Sequence, residues 1–225
     1  MQLQIEVICD NHLKEKIMAK FDSVFKLRGR VGNIVFCKRG GKSYMRALPL
    51  EVRNPKTEKQ ELVRSKFRVA VEFYQRVKET PVRKIWSESA KGIADNGYTL
   101  HMKLNMKAFK EDGRVGDFSQ IHFAAGKRQC VYNLEGKMDP EGLVELYWNN
   151  GTETECTEMD DRLSVIVIHG SREFAPVVAD GVEARRRDEY ASFRVDRKRG
   201  EKVHLYCFFA SEKGTEYSNS QYICL

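Results

Sequence analysis

Two apolar stretches in the second half of the chain decide its fold: Leu163-Ser164-Val165-Ile166-Val167-Ile168-His169 and Val203-His204-Leu205-Tyr206-Cys207-Phe208-Phe209-Ala210. Each has the length of a β-strand and is far shorter than the ~20 apolar residues that cross a bilayer. From residue 118 onward, similar short runs alternate with turn signals such as Asn149-Asn150-Gly151. The pattern predicts strands at 118–124, 143–148, 163–169, 191–195, 203–210 and 217–224.

Six or seven short strands in about 110 residues are typical of a β-sandwich. Trp148 ends an early strand, where a sandwich often has a core aromatic residue. We therefore predict an α+β fold class: a basic β-hairpin plus helices, followed by an immunoglobulin- or fibronectin-type-III-like β-sandwich.

The hairpin is predicted where Gly40-Gly41 joins residues 32–39 to residues 42–48. Two glycines supply the positive φ angles of a type I′ turn. The expected register has a basic face with one aromatic residue, formed by the pairs Arg39 with Lys42, Cys37 with Tyr44, and Val35 with Arg46. The opposite face is apolar, with Phe36 opposite Met45 and Ile34 opposite Ala47.

Helices are predicted between the hairpin and the strands. Thr57 and Gln60 have the spacing of a capping box. The helix that follows has one apolar stripe, made of Val63, Phe67, Ala70, Tyr74 and Val77. A second helical stretch runs from Val82 to Ile93, and Asn96-Gly97 marks a stop or turn. Residues 98–110 fit both a helix and a strand, and we favour a helix.

Charge divides the chain at the same place as the hydrophobic pattern. Residues 18–116 contain 23 Lys and Arg against 10 Asp and Glu, a net charge of +13. Residues 117–225 contain 14 against 19, a net charge of −5. We predict a basic hairpin-plus-helix module over 18–116 and a β-sandwich domain over 117–225. The first could bind a polyanion, or the oppositely charged halves of two molecules could pair.

Residues 1–17 allow two interpretations. Met18-Ala19-Lys20-Phe21 has the character of a start, and Lys14-Glu15 could be encoded by a purine-rich ribosome-binding sequence. Residues 1–17 would then be a mis-annotated leader. The alternative is a genuine strand, in which Leu3, Ile5 and Val7 alternate, followed by a short helix.

Several motifs together resemble one family. They are Gly32-Asn33-Ile34-Val35-Phe36, Gly41-Lys42-Ser43-Tyr44-Met45-Arg46, Pro49, Asn54-Pro55-Lys56-Thr57 with Gln60, Arg64-Ser65-Lys66-Phe67 and a tail from Val203 to Tyr222. This combination is similar to domain-of-unknown-function family 6266 of Bacteroidota over roughly residues 18–225. The front motif also resembles segments of phage-like and mobile-element proteins that precede fibronectin-type-III-like domains. The resemblance implies no known activity.

Catalytic and metal-binding motifs are absent from the sequence. There is no Gly-x-Ser-x-Gly elbow, no Walker A motif and no pair of histidines at the spacing His-x-x-x-His. His122, His169 and His204 could meet across a sandwich, or they could be separate surface residues. The acids Glu153, Glu155, Glu158, Asp160 and Asp161 could hold Ca²⁺, but a solvated acidic loop is the favoured interpretation. Arg185-Arg186-Arg187, between acidic residues, is interpreted as a charged turn that neutralises itself.

The remaining candidate site is the basic hairpin face with Arg39, Lys42, Tyr44 and Arg46, extended by Lys38, Arg53 and Lys56. Basic residues around an aromatic ring can hold a nucleic-acid backbone and stack a base. The alternative is a solvated hairpin tip, or a face that docks on the acidic domain of the same or another copy.

The sequence therefore predicts a non-enzymatic structural or assembly protein, plausibly of a phage-derived or mobile element, that self-associates or binds other structural proteins. The alternative is a nucleic-acid-binding accessory protein. Six cysteines without a Cys-x-x-Cys pair indicate reduced thiols. The residues after Met1 show neither the basic region nor the long apolar run of a signal peptide. We accordingly expect a cytoplasmic protein with no cofactor, no metal and no membrane partner.

Overall fold

The structure is a computed structural model that describes residues 6–7, 18–20, 27–39, 41–49, 51, 54–152, 154, 156–198 and 200–225. Among these residues, three α-helices and three antiparallel sheets make the fold class α+β, as predicted. The chain divides into two units, Met1–Lys56 and Thr57–Leu225. This division differs from the predicted boundary at residue 117.

The Met1–Lys56 unit contains a five-stranded antiparallel sheet. Its strands are β1 (Glu6–Val7), β2 (Met18–Lys20), β3 (Gly29–Val31), β4 (Ile34–Arg39) and β5 (Lys42–Ala47), in the order β1-β2-β5-β4-β3. Hairpin β4–β5 has the predicted register at all five predicted pairs, from Ile34 with Ala47 to Arg39 with Lys42. Gly41 has a φ of +81°, the left-handed conformation that favours glycine. Residues 1–5 and 8–17, on which the interpretation of the start depends, lie outside the described residues.

The second unit begins with three helices: α1 (Glu58–Val77), α2 (Val82–Ser89) and α3 (Gly97–Asn105). Thr57 is the N-cap of α1, as predicted, and its hydroxyl accepts a hydrogen bond from the backbone N–H of Gln60. Residues 97–105 are helical because Asn96 caps α3, accepting from the Thr99 N–H at 2.9 Å. Among the described helices, none is both long enough and apolar enough to span a bilayer.

The predicted stripe of α1 is only half correct. Val69, Ala70, Phe73 and Val77 are buried, so the core-facing stripe begins at the fourth turn of the helix. Val63 and Phe67 belong to the apolar stripe of the sequence, but their side chains are exposed, Val63 by 56%. The first three turns of α1 thus display apolar residues that do not belong to the core.

Seven strands follow the helices: β6 (Tyr132–Met138), β7 (Leu143–Asn149), β8 (Arg162–His169), β9 (Val177–Val178), β10 (Tyr190–Arg194), β11 (Val203–Ala210) and β12 (Gln221–Cys224). They form two antiparallel sheets with the orders β10-β7-β6 and β12-β11-β8-β9. Strands β6 and β9 were not predicted, and β12 begins at Gln221, later than the predicted start at residue 217.

The predicted strand at 118–124 is wrong. Phe118–Gln120 is a 3₁₀ turn, and the backbone after it bonds to side chains instead of a neighbouring strand. The N–H of His122 donates to Asn105 Oδ1 at 2.7 Å, and the N–H of Ala124 donates to Ser220 Oγ at 2.8 Å.

Strand β11 lies at the centre of the second unit and is buried along its whole length. Its odd-numbered residues pack with those of the three-stranded sheet, so that Leu205 and Phe209 share a cluster with fully buried Trp148. Its even-numbered residues pack with the helices, so that Tyr206 and Phe208 share a cluster that includes Phe73 and Trp86. The helices therefore cover one face of the four-stranded sheet, and this is why the division does not fall at residue 117.

Candidate nucleic-acid interface

The basic face of hairpin β4–β5 is arranged as the sequence predicts. Directly paired residues of an antiparallel sheet lie on the same face. Tyr44, opposite Cys37, therefore lies between Lys42 and Arg46 on one face of β5. Tyr44 is half-buried, whereas Lys42 and Arg46 are exposed. The backbone of Arg39 pairs with that of Lys42 at the end of the hairpin.

Strand β3 adds a residue that the sequence analysis missed. Arg30 pairs with Val35, which in turn pairs with Arg46, so the two arginines flank Val35 on the basic face. Arg30 is exposed, and its Nε donates to the carbonyl of Gly32 at 2.9 Å. Gly32-Asn33 is the sequence signal that could have predicted strand β3, because these two residues form the turn between β3 and β4.

The three residues predicted to extend the basic face, Lys38, Arg53 and Lys56, have different outcomes. Lys38 pairs with Ser43 and so lies on the opposite face of the sheet from Tyr44, because side chains alternate along a strand. Arg53 lies outside the described residues. Lys56 is exposed, with a φ of +47° at the end of the unit.

The opposite face of the same sheet is apolar, as predicted. Ile34 lies opposite Ala47 and Phe36 opposite Met45, and β3 adds Val31, which is 68% exposed. Among residues 27–38, 41–49, 51 and 54–56 of this unit, none is buried. The sheet therefore presents a basic face and an apolar face.

The division into units relocates the charge. Residues 1–56 contain 12 Lys and Arg against 5 Asp and Glu, and residues 57–225 contain 27 against 27. The whole net charge of +7 belongs to the first unit. Within the second unit, the positive charge of the helices is balanced by the negative charge of the strands and loops.

Acidic side chains of the loop after β7 form ion pairs with arginines. Arg128 contacts Glu158 at 2.8 Å and Glu216 at 2.7 Å. Arg185 and Arg187 contact Asp160 at 2.8 and 2.9 Å. Ion pairs of this kind neutralise the loop, and no metal-binding group of three acids, histidines or cysteines occurs among the described residues. Glu153 and Glu155 lie outside them.

Arg186 departs from the predicted charged turn, because it is fully buried. Its guanidinium carbon lies 4.5 Å from the centre of the Phe209 ring, and Nη2 donates to the Gln129 carbonyl at 2.5 Å. Asp161, also fully buried, lies 3.7 Å from Arg186 Nε and 3.4 Å from Arg128 Nη1. Burial raises the pKa of the Asp161 carboxyl, and the two guanidinium groups oppose that rise.

The histidines that might have met across the strands have different partners. The backbone of His122 bonds to Asn105, His169 Nδ1 lies 3.7 Å from Glu201, and His204 Nδ1 is 2.8 Å from Tyr222 Oη. His204 also stacks on Phe118 at 3.8 Å between ring centres. Burial lowers the pKa of His122 and of His204. These contacts are structural, and they do not assemble a shared site.

Comparison with known families identifies the chain. The profile of the Family of unknown function (DUF6266) matches residues 26–224. The chain belongs to this family. The matched segment of DUF6266 includes strands β3–β5 with the basic face, the three helices and the strands of the second unit.

Other comparisons add little to the family assignment. No curated protein matches the sequence. Among solved structures, this DUF6266 chain is similar to the FN1–FN3 domains of chicken CNTN1, with 12% sequence identity and a TM-score of 0.35. The match covers 45% of this chain and 32% of the chicken chain. A TM-score this low supports no argument about fold or function.

Proposed function

We propose that this chain is a non-enzymatic nucleic-acid-binding protein, and that the basic face of the first unit contacts the phosphate backbone of a single strand. One observation carries the proposal: all of the net positive charge lies in residues 1–56, where Arg30, Lys42 and Arg46 surround Tyr44 on one sheet face. An isolated basic patch of this kind attracts polyanions over several ångströms.

The aromatic residue favours a single strand over a duplex. Lysine and arginine side chains bind phosphates of any nucleic acid, since these contacts do not read the sequence. The partly exposed ring of Tyr44 can add stacking, which requires an unpaired base. Fluorescence anisotropy with labelled single-stranded and duplex oligonucleotides at low salt tests the proposal. Absence of binding to either form would contradict it.

A second candidate function is assembly, as a structural protein that self-associates or binds other structural proteins. The observation that favours it is the exposed apolar surface in both units, including Val31 in the first and Val63 and Phe67 in the second. Exposed apolar patches commonly mark protein interfaces. The charge pattern of the sequence predicts pairing between oppositely charged halves. The two units have net charges of +7 and 0, so attraction between opposite charges contributes less to self-association than that pattern suggests.

Sedimentation at low and high salt distinguishes the two kinds of association. Contacts between charges weaken as salt shortens the Debye length, which is about 10 Å at 0.1 M. Apolar contacts persist under the same conditions. A monomer at both salt concentrations would leave assembly without support.

We also infer that strands β6–β12 form an immunoglobulin- or fibronectin-type-III-like sandwich. The support is the arrangement of seven strands in sheets of three and four that share one buried cluster. An experimental structure that separated these sheets would contradict this. The origin in Bacteroidota, the relation to phage or mobile elements and the cytoplasmic location are proposals from the sequence. Neighbouring genes and cell fractionation test them.

A further inference from the structure

Three exposed tyrosines lie on the outer face of the three-stranded sheet. In β7, Val144, Leu146 and Trp148 point into the core, so Glu145, Tyr147 and Asn149 point outward. Tyr147 pairs directly with Tyr190 of β10, and their ring centres are 5.2 Å apart. Each of these two residues is 40% exposed.

Tyr132 extends the row onto β6. It pairs with outward-facing Asn149 and is 55% exposed. Its ring lies against the backbone of Gly151, where an added Cβ would come within 2.1 Å of Tyr132 Cε2. A glycine at 151 therefore lets the ring lie flat on the loop after β7. Together, Tyr132, Tyr147 and Tyr190 form a tyrosine platform that crosses all three strands.

Hydrogen-bonding groups are placed between and beside the rings. Tyr190 Oη donates to Glu145 Oε1 at 3.0 Å. In the register, Glu135 lies opposite Tyr147, and Lys137 and Ser192 lie on either side of Glu145. Every exposed large hydrophobic residue of β6, β7 and β10 is a tyrosine, and the structure describes all residues of these strands.

The charge of this face is balanced. Glu135 and Glu145 are matched by Lys137 and Arg194, so the face offers no net attraction to a nucleic acid or another charged polymer. It also lacks the exposed aliphatic residues that would add to an apolar core in a protein–protein interface. The Tyr147 and Tyr190 rings are inclined by 47° to each other. Aromatic rings that follow the twist of a sheet and alternate with donors and acceptors suit a partner that has apolar faces and many hydroxyl groups.

We propose that the tyrosine platform binds a neutral polysaccharide chain. The C–H faces of pyranose rings would stack on Tyr132, Tyr147 and Tyr190, since an aromatic face carries partial negative charge that attracts polarised C–H groups. Glu135 and Glu145 would accept hydrogen bonds from sugar hydroxyls, and Lys137 and Ser192 would donate them. This site lies in the second unit and is independent of the nucleic-acid interface on the first.

The test uses the full chain with three probes: cellohexaose, chitohexaose and maltohexaose, measured by isothermal titration calorimetry. At least one should bind, with an affinity that is unchanged between about 50 and 300 mM salt because no ion pairs form. Tyr147→Ala and Tyr190→Ala should each reduce affinity about tenfold, the loss typical of a central aromatic contact. Gly151→Ala should also weaken binding, although it removes no ring, because the methyl group displaces Tyr132.

Tyr44→Ala is the matched control, since it removes a partly exposed tyrosine from the other unit and should bind the sugar as the unaltered chain does. The altered residues of the platform are exposed, so thermal unfolding should verify that each variant remains folded. Failure of all three probes to bind overturns the proposal. So does binding that survives the double substitution Tyr147→Ala/Tyr190→Ala, which would place the sugar elsewhere on the chain.

Discussion

His101 and Asn105 are one turn apart on α3, and Asn105 Nδ2 donates a hydrogen bond to His101 Nδ1 at 3.0 Å. His101 Nε2 lies 3.0 Å from the carbonyl of Ala70 on α1, so the ring accepts at one nitrogen and donates at the other. The Asn105 side chain also bonds to both backbone groups of His122: Nδ2 donates to the carbonyl, and Oδ1 accepts from the N–H. This buried junction joins α1, α3 and the segment after the helices, and it requires a neutral imidazole.

The first prediction is that the protein loses stability in mild acid. Burial lowers the pKa of His101 to about 4 from an ordinary value of 6.5. Between these values the unfolded chain binds a proton that the folded chain does not, so the free energy of unfolding falls as pH falls. The loss from His101 is about 3 kcal/mol by pH 4. Urea unfolding at pH 7, 6, 5 and 4.5 measures it.

His101→Gln is the control for this pH dependence. The variant should be less stable at pH 7 but should show a shallower decline between pH 6.5 and 4. His122 and His204 also have lowered pKa values and contribute a decline of the same sign. The raised pKa of Asp161 acts oppositely, since its protonation in the folded state offsets part of the loss near its titration. An unfolding free energy that does not change from pH 7 to 4.5 would contradict the prediction.

The second prediction concerns the buried pair of Asp161 and Arg186. Asp161→Ala should destabilise the protein by about 3–5 kcal/mol, because it leaves the Arg186 guanidinium buried without its counter-charge. Replacing both residues, as Asp161→Asn/Arg186→Met, should recover part of the loss. Asp160→Ala is the matched control: its ion pairs with Arg185 and Arg187 are exposed, and their loss should cost about 0–1 kcal/mol. Equal effects of the two alanine variants would contradict the prediction.

The third prediction is that residues 117–225 do not fold alone, whereas residues 57–225 do. Removing the helices would expose Tyr206, Phe208 and the other even-numbered residues of β11 that they cover. The shorter fragment should therefore bind ANS and unfold without cooperativity, as a molten globule does. The longer fragment should unfold in a single cooperative transition by circular dichroism. Cooperative unfolding of 117–225 would show instead that its sheets form an independent domain.

Turn and capping residues in the sequence predicted the hairpin and the helix start, which depend on residues close together in the chain. The Gly40-Gly41 signal in the sequence predicted the register of β4 with β5, and Thr57 with Gln60 predicted the start of α1. The strand at 118–124 failed because its partners, Asn105 and Ser220, are distant side chains that no alternation encodes. Strand β6 was missed because Gly136 and the irregular register after Tyr132 interrupt its apolar alternation.

Burial of charge was the least predictable feature. Arg185-Arg186-Arg187 is a uniform run in the sequence, yet only the middle residue is buried, against Phe209. Its position depends on the packing of strands that are far apart in the chain. The candidate site was predicted better: the face with Lys42, Tyr44 and Arg46 follows from one hairpin, and Arg30 alone required the neighbouring strand β3.

The last prediction tests the basic face directly. Binding to single-stranded nucleic acid should weaken with salt by a log–log slope of about −0.7 per neutralised phosphate, or about −2 to −3 for three to four contacts. Arg46→Ala or Arg30→Ala should each reduce the magnitude of that slope by rather less than one. Tyr44→Ala should cost about 1–3 kcal/mol on a single strand and little on a duplex, because only an unpaired base can stack. Anisotropy from about 50 to 300 mM salt measures all of these, since this range spans the steep part of the dependence.

Two matched variants distinguish binding by the basic face from binding that depends on the overall charge of the chain. Tyr44→Phe keeps the ring and should bind nearly as tightly as the unaltered chain. Arg83→Ala removes an exposed arginine from α2, in the balanced unit, and should leave the salt slope unchanged. If Arg83→Ala and Arg46→Ala reduced the slope equally, binding would depend on overall charge and not on this sheet face. If Arg39→Ala/Lys42→Ala/Arg46→Ala left binding unchanged, nucleic acid would not be the ligand of the face, and its pairing with another protein would become the stronger explanation.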